Sequence, residues 1–500
     1  MKRKNLTTAV IAGLAGIAGL SSISNAAKHI NPDGTGQALV YPYYSVNETN
    51  FGDADSSQLN TLVSVVNTTE TVKAVKVRFL EGKNSREVLD FNLYLSPFDV
   101  WVASIVPVVS SQIPGYVGDE GAKLTTSDTS CTVPDIVNVL PNGIEFRPYQ
   151  FDGTAGTPSD AVANELIRVR EGHFEIIEMG NLVGTHAAAA THSPGGAPPG
   201  CAFLNGEWNG GGWSATNGAL NLTNPTGGLF GSATIINVAQ AYAVSYKAEA
   251  IDGFWNGAGV HTNPGSVNPF IGSGDFRSVV FDSGAVVATD WPTSTEATSA
   301  LFMRDQVFSE FVSDSSFGAE TSLVITFPTK RSYVDAPTAI GPVPVVPFTN
   351  ALTSRGACEE IGLRHWDREE NTSGTNIDFS PRPVSGNPEL CWEANVININ
   401  YDANISNALY SNNAYNLTSN YNAGWLRIIF VNNQTSRGEP APFPGGSPTN
   451  TGGHTYFGLP VTGFAVQKYV NSATRAAGGI VNNYGTIYSH SYNRNITSGT

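Results

Sequence analysis

Polar and apolar residues alternate along much of the chain between residues 36 and 109. Residues 75–79 and 89–95 alternate with a period of two, which indicates strands. Residues 100–109 are apolar at both the odd and the even positions, so both faces of a strand here would be apolar. This pattern predicts a strand covered on both sides. Turns rich in Asn, Gly and Pro separate these segments. The pattern therefore predicts consecutive strands of an antiparallel β-sandwich.

Strand patterns recur after this region, between segments rich in turn residues. We predict a mainly β protein with an antiparallel β-sandwich core, immunoglobulin-like or jelly-roll-like, carrying long loop insertions and one or two helices. The later strands are expected at residues 170–179, 233–250, 323–327, 393–401, 425–431 and 456–470.

One segment has the period of a helix. Between residues 296 and 313, apolar residues recur at spacings of three and four, from Ala297 to Val312. Thr295 precedes the segment and Gly318 follows it, as start and stop signals require. We therefore predict a helix over 296–313.

The same patterns suggest how the chain is organised. Residues 27–110 supply the N-terminal sandwich strands, and residues 111–335 continue the β body with a Gly-, Ala- and Pro-rich insertion at 184–228. Residues 336–349 contain four prolines and form either an extended linker or a crossover within one body. Residues 350–500 form a C-terminal β region.

The first 26 residues have the pattern of a secretory signal peptide. Three basic residues precede an uncharged, apolar run from Leu6 to Ile23, and small residues at Ser24 and Ala26 suit a signal peptidase. We predict cleavage after Ala26, with Ala27 as the alternative, and hence an exported protein. No later stretch reaches the ~18 consecutive apolar residues of a membrane helix, so we predict a mature chain without a transmembrane segment.

Composition narrows the class of protein further. The 500-residue chain is acidic, with a formal charge of −15, and only 14% of its residues are charged. Removal of residues 1–26 leaves 24 basic and 42 acidic residues. This balance excludes a phosphate-binding footprint, so no nucleic-acid partner is expected. The 41% hydrophobic content excludes overall disorder.

Four cysteines predict two disulfides in an exported chain. Three pairings are possible, and we favour the one that joins neighbours in sequence. No CxxC spacing indicates a metal site. The favoured pairs are Cys131 with Cys201 and Cys358 with Cys391.

Two short segments suggest metal ligands. Cleavage after Ala26 would place Ala27, Lys28 and His29 first, and a terminal amine, two backbone amides and a third-position His form a square-planar set for copper(II) or nickel(II). Asp53 and Asp55 form part of a possible calcium loop, although the remaining pattern is absent. Calcium is thus the one cofactor that the composition suggests, and a solvated turn is the alternative at this segment.

Two tryptophans are candidates for ligand binding. Trp208 and Trp213 lie in a Gly-rich segment, where exposed rings stack on sugars and buried rings anchor a loop. The sequence contains no GxSxG, HExxH or Walker A motif. We therefore predict a protein without enzymatic activity; a hydrolase would need a carboxylate pair or a Ser/His/Asp set in one cleft.

Several stretches resemble a family of uncharacterised exported proteins from Gram-negative bacteria. The resemblance implies a β-rich surface or secreted protein of no known activity, and it carries over no site residues. The stretches are residues 36–44, 78–91, 95–101, 171–175, 326–330 and 463–465.

These features favour an exported cell-surface structural protein, a surface-layer or filament-like subunit that assembles through β surfaces. Self-association or contact with cell-envelope components is the expected interaction. A secreted binding protein for glycan, calcium or copper is the alternative, and an extracellular hydrolase comes third. The expected location is the cell surface or the medium, with the periplasm as a further possibility.

Overall fold

Antiparallel sheets make up most of the structure, which confirms the predicted mainly-β sandwich architecture. The signal peptide and the segment with Asp53 and Asp55 lie outside the described residues. The computed structural model describes residues 27–48, 58–139, 143–154, 159–213, 218–316, 318–372, 378–380, 388–401, 407–430, 443–444, 453–470 and 483–498.

Sheet I has eight strands and contains most of the N-terminal β segments. Its strands are β1 (His29–Ile30), β2 (Ala38–Ser45), β4 (Val72–Glu81), β5 (Glu87–Leu95), β8 (Cys131–Val133), β10 (Glu171–Leu182), β11 (Leu222–Thr223) and β14 (Glu249–Asp252). Their order is β1-β14-β2-β10-β4-β5-β8, with β11 also paired to β10. The two central strands, β4 and β10, are buried along their whole length.

Sheet II packs against sheet I and has six strands in the order β13-β12-β3-β6-β7-β9. Its strands are β3 (Leu59–Asn67), β6 (Val100–Val109), β7 (Glu120–Thr125), β9 (Ile144–Glu145), β12 (Leu229–Asn237) and β13 (Tyr242–Lys247). Burial alternates along β3 and β12, so one face of sheet II packs on the core and the other points outward.

Sheets III and IV form a second sandwich from the C-terminal half. Their strands are β18 (Gln306–Val312), β19 (Ala319–Thr326), β21 (Gly362–Asp367), β22 (Asp378–Ser380), β24 (Ala394–Asn400), β25 (Ala414–Thr418), β26 (Ala423–Ile429), β30 (Thr462–Val470), β31 (Asn483–Ser489) and β32 (Ser491–Asn493). Sheet III has the order β22-β25-β24-β19-β30-β31, and sheet IV has the order β21-β26-β18-β32. The pair β24–β25 is parallel.

Smaller elements complete the fold. The short strands are β15 (Arg277–Asp282), β16 (Ala285–Asp290), β17 (Met303–Arg304), β20 (Glu359–Glu360), β23 (Glu389–Leu390), β27 (Phe443–Pro444), β28 (His454–Phe457), β29 (Leu459–Pro460) and β33 (Asn495–Ser498). The helices are α1 (Ile136–Val139), α2 (Gly184–Ala190), α3 (Cys201–Trp208), α4 (Ser294–Phe302) and α5 (Arg331–Val334), with a 3₁₀ turn at Leu166–Arg170. Within the described residues, the helices are too short or too polar to cross a bilayer.

Sheet III joins the two sandwiches through its two apolar faces. One face, which includes Val324 and Phe464, packs into the core between sheets I and II. The opposite face, which includes Leu323 and Ile397, packs against sheet IV and α4 in a second core. Because β19 is buried on both sides, the two sandwiches share a layer.

The predicted helix over 296–313 is wrong beyond Phe302. Helix α4 begins with a capping box in which Thr293 and Glu296 bond each other's backbone N–H groups, and it ends at Phe302. Residues 306–312 form strand β18 instead. Val307, Ser309 and Phe311 face the core at a period of two, and pairing with β26 outweighs the helical spacing.

The structure bears on three further expectations, for β6, for the Pro-rich segment and for the 184–228 insertion. The prediction that β6 is covered on both sides is wrong, because Val100 and Val102 are each 49% exposed on its outer face. The Pro-rich segment 336–349 packs on the body, since the Val345 N–H donates to the Tyr333 carbonyl and Phe348 is buried. The 184–228 insertion contains helices α2 and α3 where a loop was predicted.

Candidate functional site

The two disulfides join the predicted pairs. Cys131 of β8 bonds Cys201 of α3, and this link holds the insertion against the edge of sheet I. Cys358 bonds Cys391 beside the β20–β23 pair. Chain-entropy arguments give each closed loop roughly 3–4.5 kcal/mol of stabilisation.

The N-terminal candidate for copper lies in a strand. Ala27 is buried, and the Lys28 N–H donates to the Arg277 carbonyl at 2.9 Å, so that amide is occupied by the sheet. The buried Lys28 amine donates to the hydroxyls of Ser294 and Thr298. The His29 Nδ1 lies 3.1 Å from the Ala27 carbonyl oxygen. The structure does not bring these groups into a square-planar set.

One other group of metal-ligand types comes together in the described part of the chain. Cys358, Glu389 and Cys391 have ligand atoms within 4.8 Å of one another. Both sulfurs are in the disulfide and offer no thiolate, so this group is not a thiolate metal site.

The glycan candidates belong to a small aromatic core. Trp213 is buried against Tyr94 and His261, and its indole N–H donates to the Leu220 carbonyl. Trp208 is half-buried and donates to the Tyr94 hydroxyl at 3.0 Å. These contacts favour the anchoring role over sugar stacking, because the Trp213 ring has no solvent-facing surface.

A buried polar centre lies where three of the stretches noted above meet. Residues 78–91 supply the turn between β4 and β5, residues 171–175 begin β10, and residues 326–330 end β19. A cavity of about 150 Å³ opens at this junction. Its lining includes Arg78, Leu80, Ser85, Glu175, Phe270, Thr329 and Arg331.

Ser85 occupies the strained position of this turn. Its φ is +47°, a left-handed conformation that non-Gly residues seldom adopt. Its Oγ lies 2.7 Å from His173 Nε2 and donates to Glu393 Oε2 at 2.9 Å. Burial, together with the charge of Arg78, lowers the pKa of His173 to about 3. Burial raises the pKa of Glu393 to about 8, although Lys330 opposes that shift.

Buried ion pairs stabilise the β4–β5 turn that contains Ser85. The Arg168 guanidinium donates to the carboxylates of Glu81 and Asp160, and all three side chains are fully buried. Glu81 in turn accepts backbone N–H bonds from Lys83 and Asn84. Arg168 therefore holds the carboxylate that shapes the backbone before Ser85.

Other charges surround the cavity itself. Arg78 pairs with Glu87 and Glu175, and Arg331 pairs with Asp335. The Arg331 Nη1 also donates to the Ser85 carbonyl at 3.1 Å. These pairs contain two guanidiniums and three carboxylates, and they place the Arg331 guanidinium beside Ser85.

The outer face of sheet II is a second candidate. Strands β3, β6 and β12 contain no charged residue. The register aligns Val102, Ser64 and Ser232 in one row across the face, and the two serine hydroxyls are 3.0 Å apart. A groove of about 620 Å³ runs along these rows. This face is flat, apolar and hydroxyl-rich in a strongly acidic protein.

The outer face of sheet IV has a different character. Trp366 and Trp425 stack across β21 and β26 with ring centroids 4.2 Å apart. Arg427 lies over the Trp366 ring, and Phe308 contacts Trp425. Trp425 is 39% exposed, so an aromatic and cationic patch faces outward.

The sequence patterns did not predict the polar centre around Ser85. They also did not predict the sites on the outer faces of sheets II and IV. Ser85, His173 and Glu393 are up to 308 residues apart, so no local spacing connects them. One signal was present for the polar centre, because His173 and Glu175 are polar residues inside a predicted strand. The double-sided apolar pattern of residues 100–109 was the signal for the outer face of sheet II.

Comparisons with known proteins add no assignment. No protein-family model and no curated protein matches the sequence, and no solved structure matches the fold.

Proposed function

We propose that this chain is an exported cell-surface structural protein, a surface-layer or filament-like subunit that assembles through β surfaces. The observation that carries the proposal is the uncharged outer face of three neighbouring strands of sheet II, β12, β3 and β6. Its apolar rim includes Val66, Val100 and Phe230, which lie in one row across three strands. An exposed apolar face of this kind marks an interaction surface.

The size of the face suits a pairwise contact. Five neighbouring strands, β13-β12-β3-β6-β7, lie about 4.8 Å apart, and their outward side chains repeat about every 6.8 Å, so they give a face of roughly 24 Å by 24 Å. The uncharged strands form its centre, and Lys247 of β13 and Lys123 of β7 lie at its two sides. Two such faces would bury roughly 1,200 Å² in total, which is the lower end of the range for stable, specific interfaces. Sheets pack face to face in the same way inside sandwich domains.

The distribution of charge over the surface favours a second copy of this chain as the partner that binds the uncharged face. Two mature molecules, each with 24 basic and 42 acidic residues, repel each other over most of their surfaces. The outward side chains of β3, β6 and β12 carry no charge, so two copies meet there without like-charge contact. A twofold contact of one face with itself is the commonest arrangement of homo-oligomers.

Export is supported by the pairing of all four cysteines. Disulfides persist in oxidising compartments and are rare in the cytosol. The described chain holds its cysteines in two disulfides, and the sequence begins with the signal-peptide pattern.

A charge placed on the face should separate the copies. We expect the mature wild-type protein to associate with increasing concentration in sedimentation velocity, and Val102→Glu to stay monomeric, because the new carboxylates would face each other unpaired. Val286→Glu, on the 41%-exposed Val286 of β16, is the matched control and should associate like wild type. Wild-type protein that remains monomeric up to its solubility limit would contradict the proposal.

Growth beyond pairs requires a second contact, because a closed twofold interface cannot extend a lattice. The Trp366–Trp425 patch of sheet IV supplies it, since Arg427 complements the acidic surface of a neighbouring copy. We expect Trp425→Ala to leave pairs intact in sedimentation and to remove larger arrays in electron microscopy of the cell surface. Unchanged arrays would rule out this contact, and protein recovered only from the cytoplasm would rule out the surface role.

A further inference from the structure

We infer that Ser85 is the nucleophile of an acyl-ester hydrolase site, with Glu393 as its general base and His173 as the group that orients the serine hydroxyl. The inference is independent of assembly through sheet II. It rests on the cavity at the β4–β5 turn, on the contacts of the Ser85 hydroxyl and on the backbone that presents it.

The hydroxyl contacts define the roles. Ser85 Oγ donates to Glu393 Oε2 at 2.9 Å, so the carboxylate is within reach of the proton that must leave the nucleophile. His173 Nε2 lies 2.7 Å from the same oxygen, and a neutral imidazole with its proton on Nε2 donates to Ser85 Oγ. The base and the orienting group are thus each in hydrogen-bond contact with the nucleophile.

The environment of Glu393 suits a base. Burial raises its pKa to about 8, against the charge of Lys330, and Glu81 raises it further while Arg331 opposes. A carboxylate with a pKa of about 8 is a stronger base than an ordinary surface carboxylate, and this deprotonated form, which takes the serine proton, predominates above that pH.

Another Ser–His contact among the described residues serves as a comparison, because its serine hydroxyl bonds a backbone carbonyl and no carboxylate. The Ser96 hydroxyl donates to the Ala190 carbonyl and also contacts His192 Nδ1. Ser85 differs because it contacts the imidazole Nε2 and a carboxylate, because its φ is +47°, and because it lines a cavity. Strained backbone at a polar cavity is a feature of functional sites.

The cavity indicates the class of substrate. A volume of about 150 Å³ is below that of ordinary drug-sized pockets, so it admits a short acyl group. Leu80, Phe270 and Ile271 give it an apolar wall, and Arg331 lies beside Ser85. A guanidinium in that place stabilises the negative oxygen that forms when a carbonyl is attacked.

The reaction balances with water as the only co-reactant. Ser85 Oγ bonds to the acyl carbon as its proton passes to Glu393, the bond to the alcohol oxygen breaks, and Glu393 returns the proton to that oxygen. Water then attacks the acyl-serine, Glu393 takes the water proton, and the Ser85 oxygen leaves and recovers it. The products are a carboxylic acid and an alcohol.

A labelling experiment tests the site in the mature, oxidised protein. We expect a small fluorophosphonate to label the wild type once, on the peptide that contains Ser85, as read by mass spectrometry. The protein should also hydrolyse p-nitrophenyl acetate, with Ser85→Ala lowering the rate on the order of 10³-fold. Glu393→Gln, which keeps a hydrogen-bond acceptor but cannot take the proton, should lower it on the order of 10²-fold.

Ser96→Ala is the matched control, because it removes another serine that contacts a histidine. Its labelling and rate should equal those of the wild type. Absence of label in folded wild-type protein, label on another residue, or a Ser85→Ala rate equal to wild type would each overturn the inference. If Ser85→Ala fails to fold, the labelled peptide of the wild type decides the question.

Discussion

Arg168→Met is expected to lower the free energy of unfolding by about 3–5 kcal/mol, because it leaves the buried Glu81 carboxylate without its cation and leaves Asp160 with only the more distant Arg86, at 3.7 Å. Arg168 lies 3.0 Å from a Glu81 oxygen and 2.9 Å from an Asp160 oxygen, and none of the three side chains is exposed. Methionine fills much of the same volume, so the loss reports charge more than packing. Urea denaturation of the oxidised protein measures the change.

The control for this effect is an exposed ion pair. Arg277 lies 3.7 Å from Asp290, and the two side chains are 49% and 42% exposed. Arg277→Met should change stability by about 0–1 kcal/mol, since solvent screens such a pair. Equal losses in the two variants would show that Glu81 and Asp160 tolerate the missing guanidinium, and the support assigned to the Ser85 turn would then be wrong.

His261→Gln is expected to gain stability relative to the wild type as the pH falls. The His261 Nδ1–H donates to the Gly218 carbonyl and Nε2 accepts from the Tyr94 hydroxyl, an arrangement that requires the neutral ring. Burial lowers the pKa of His261 from 6.5 to about 4. Below the pKa that His261 has in the unfolded chain, the unfolded chain binds a proton that the folded chain does not bind. The histidine therefore lowers the free energy of unfolding as the pH falls.

The size of this effect follows from the pH interval. Each pH unit within the window is worth about 1.4 kcal/mol, so the variant should gain about 2 kcal/mol over the wild type between about pH 6.5 and about pH 5. Buried carboxyl groups with raised pKa values, such as Glu393, make the folded protein more stable as the pH falls, which is opposite to the effect of His261. Their contribution is the same in the variant and the wild type, so it cancels when the two are compared at each pH.

Glutamine retains one donor and one acceptor, so it preserves the hydrogen bonds while removing the titration. His454→Gln, at the half-buried His454 of β28, controls for loss of a histidine elsewhere. A stability difference between His261→Gln and the wild type that does not change with pH would show that His261 takes up its proton equally in the folded and unfolded chains, which would contradict the prediction.

The positions of several strands could be predicted from the local pattern of polar and apolar residues. Residues 75–79 and 89–95 alternate with a period of two, and they lie in β4 and β5 as predicted. A period of two is sufficient because side chains of a strand alternate between faces. In residues 306–312, spacings of three and four coexist with a period of two, and pairing with β26 decided for a strand.

The candidate sites show where local pattern stops. Cysteine count and sequence proximity led to the two disulfides that the structure contains. The approach of Ser85, His173 and Glu393 could not be predicted, since it depends on how the β4–β5 turn meets β10 and the start of β24. The tryptophan cluster was visible as composition, but its burial depends on the packing of α3 against sheet I.

The sequence by itself determined the mainly-β class and most strand positions, because these depend on side-chain alternation between neighbours. It favoured, among three possible pairings, the cysteine pairs that the structure contains. Only the tertiary structure decided that one apolar face of β6 faces outward while both faces of β19 are covered. An apolar residue favours burial wherever it lies, but which sheet covers it depends on contacts between distant segments. The same contacts assemble the polar cavity, so both candidate sites are properties of the packed sheets.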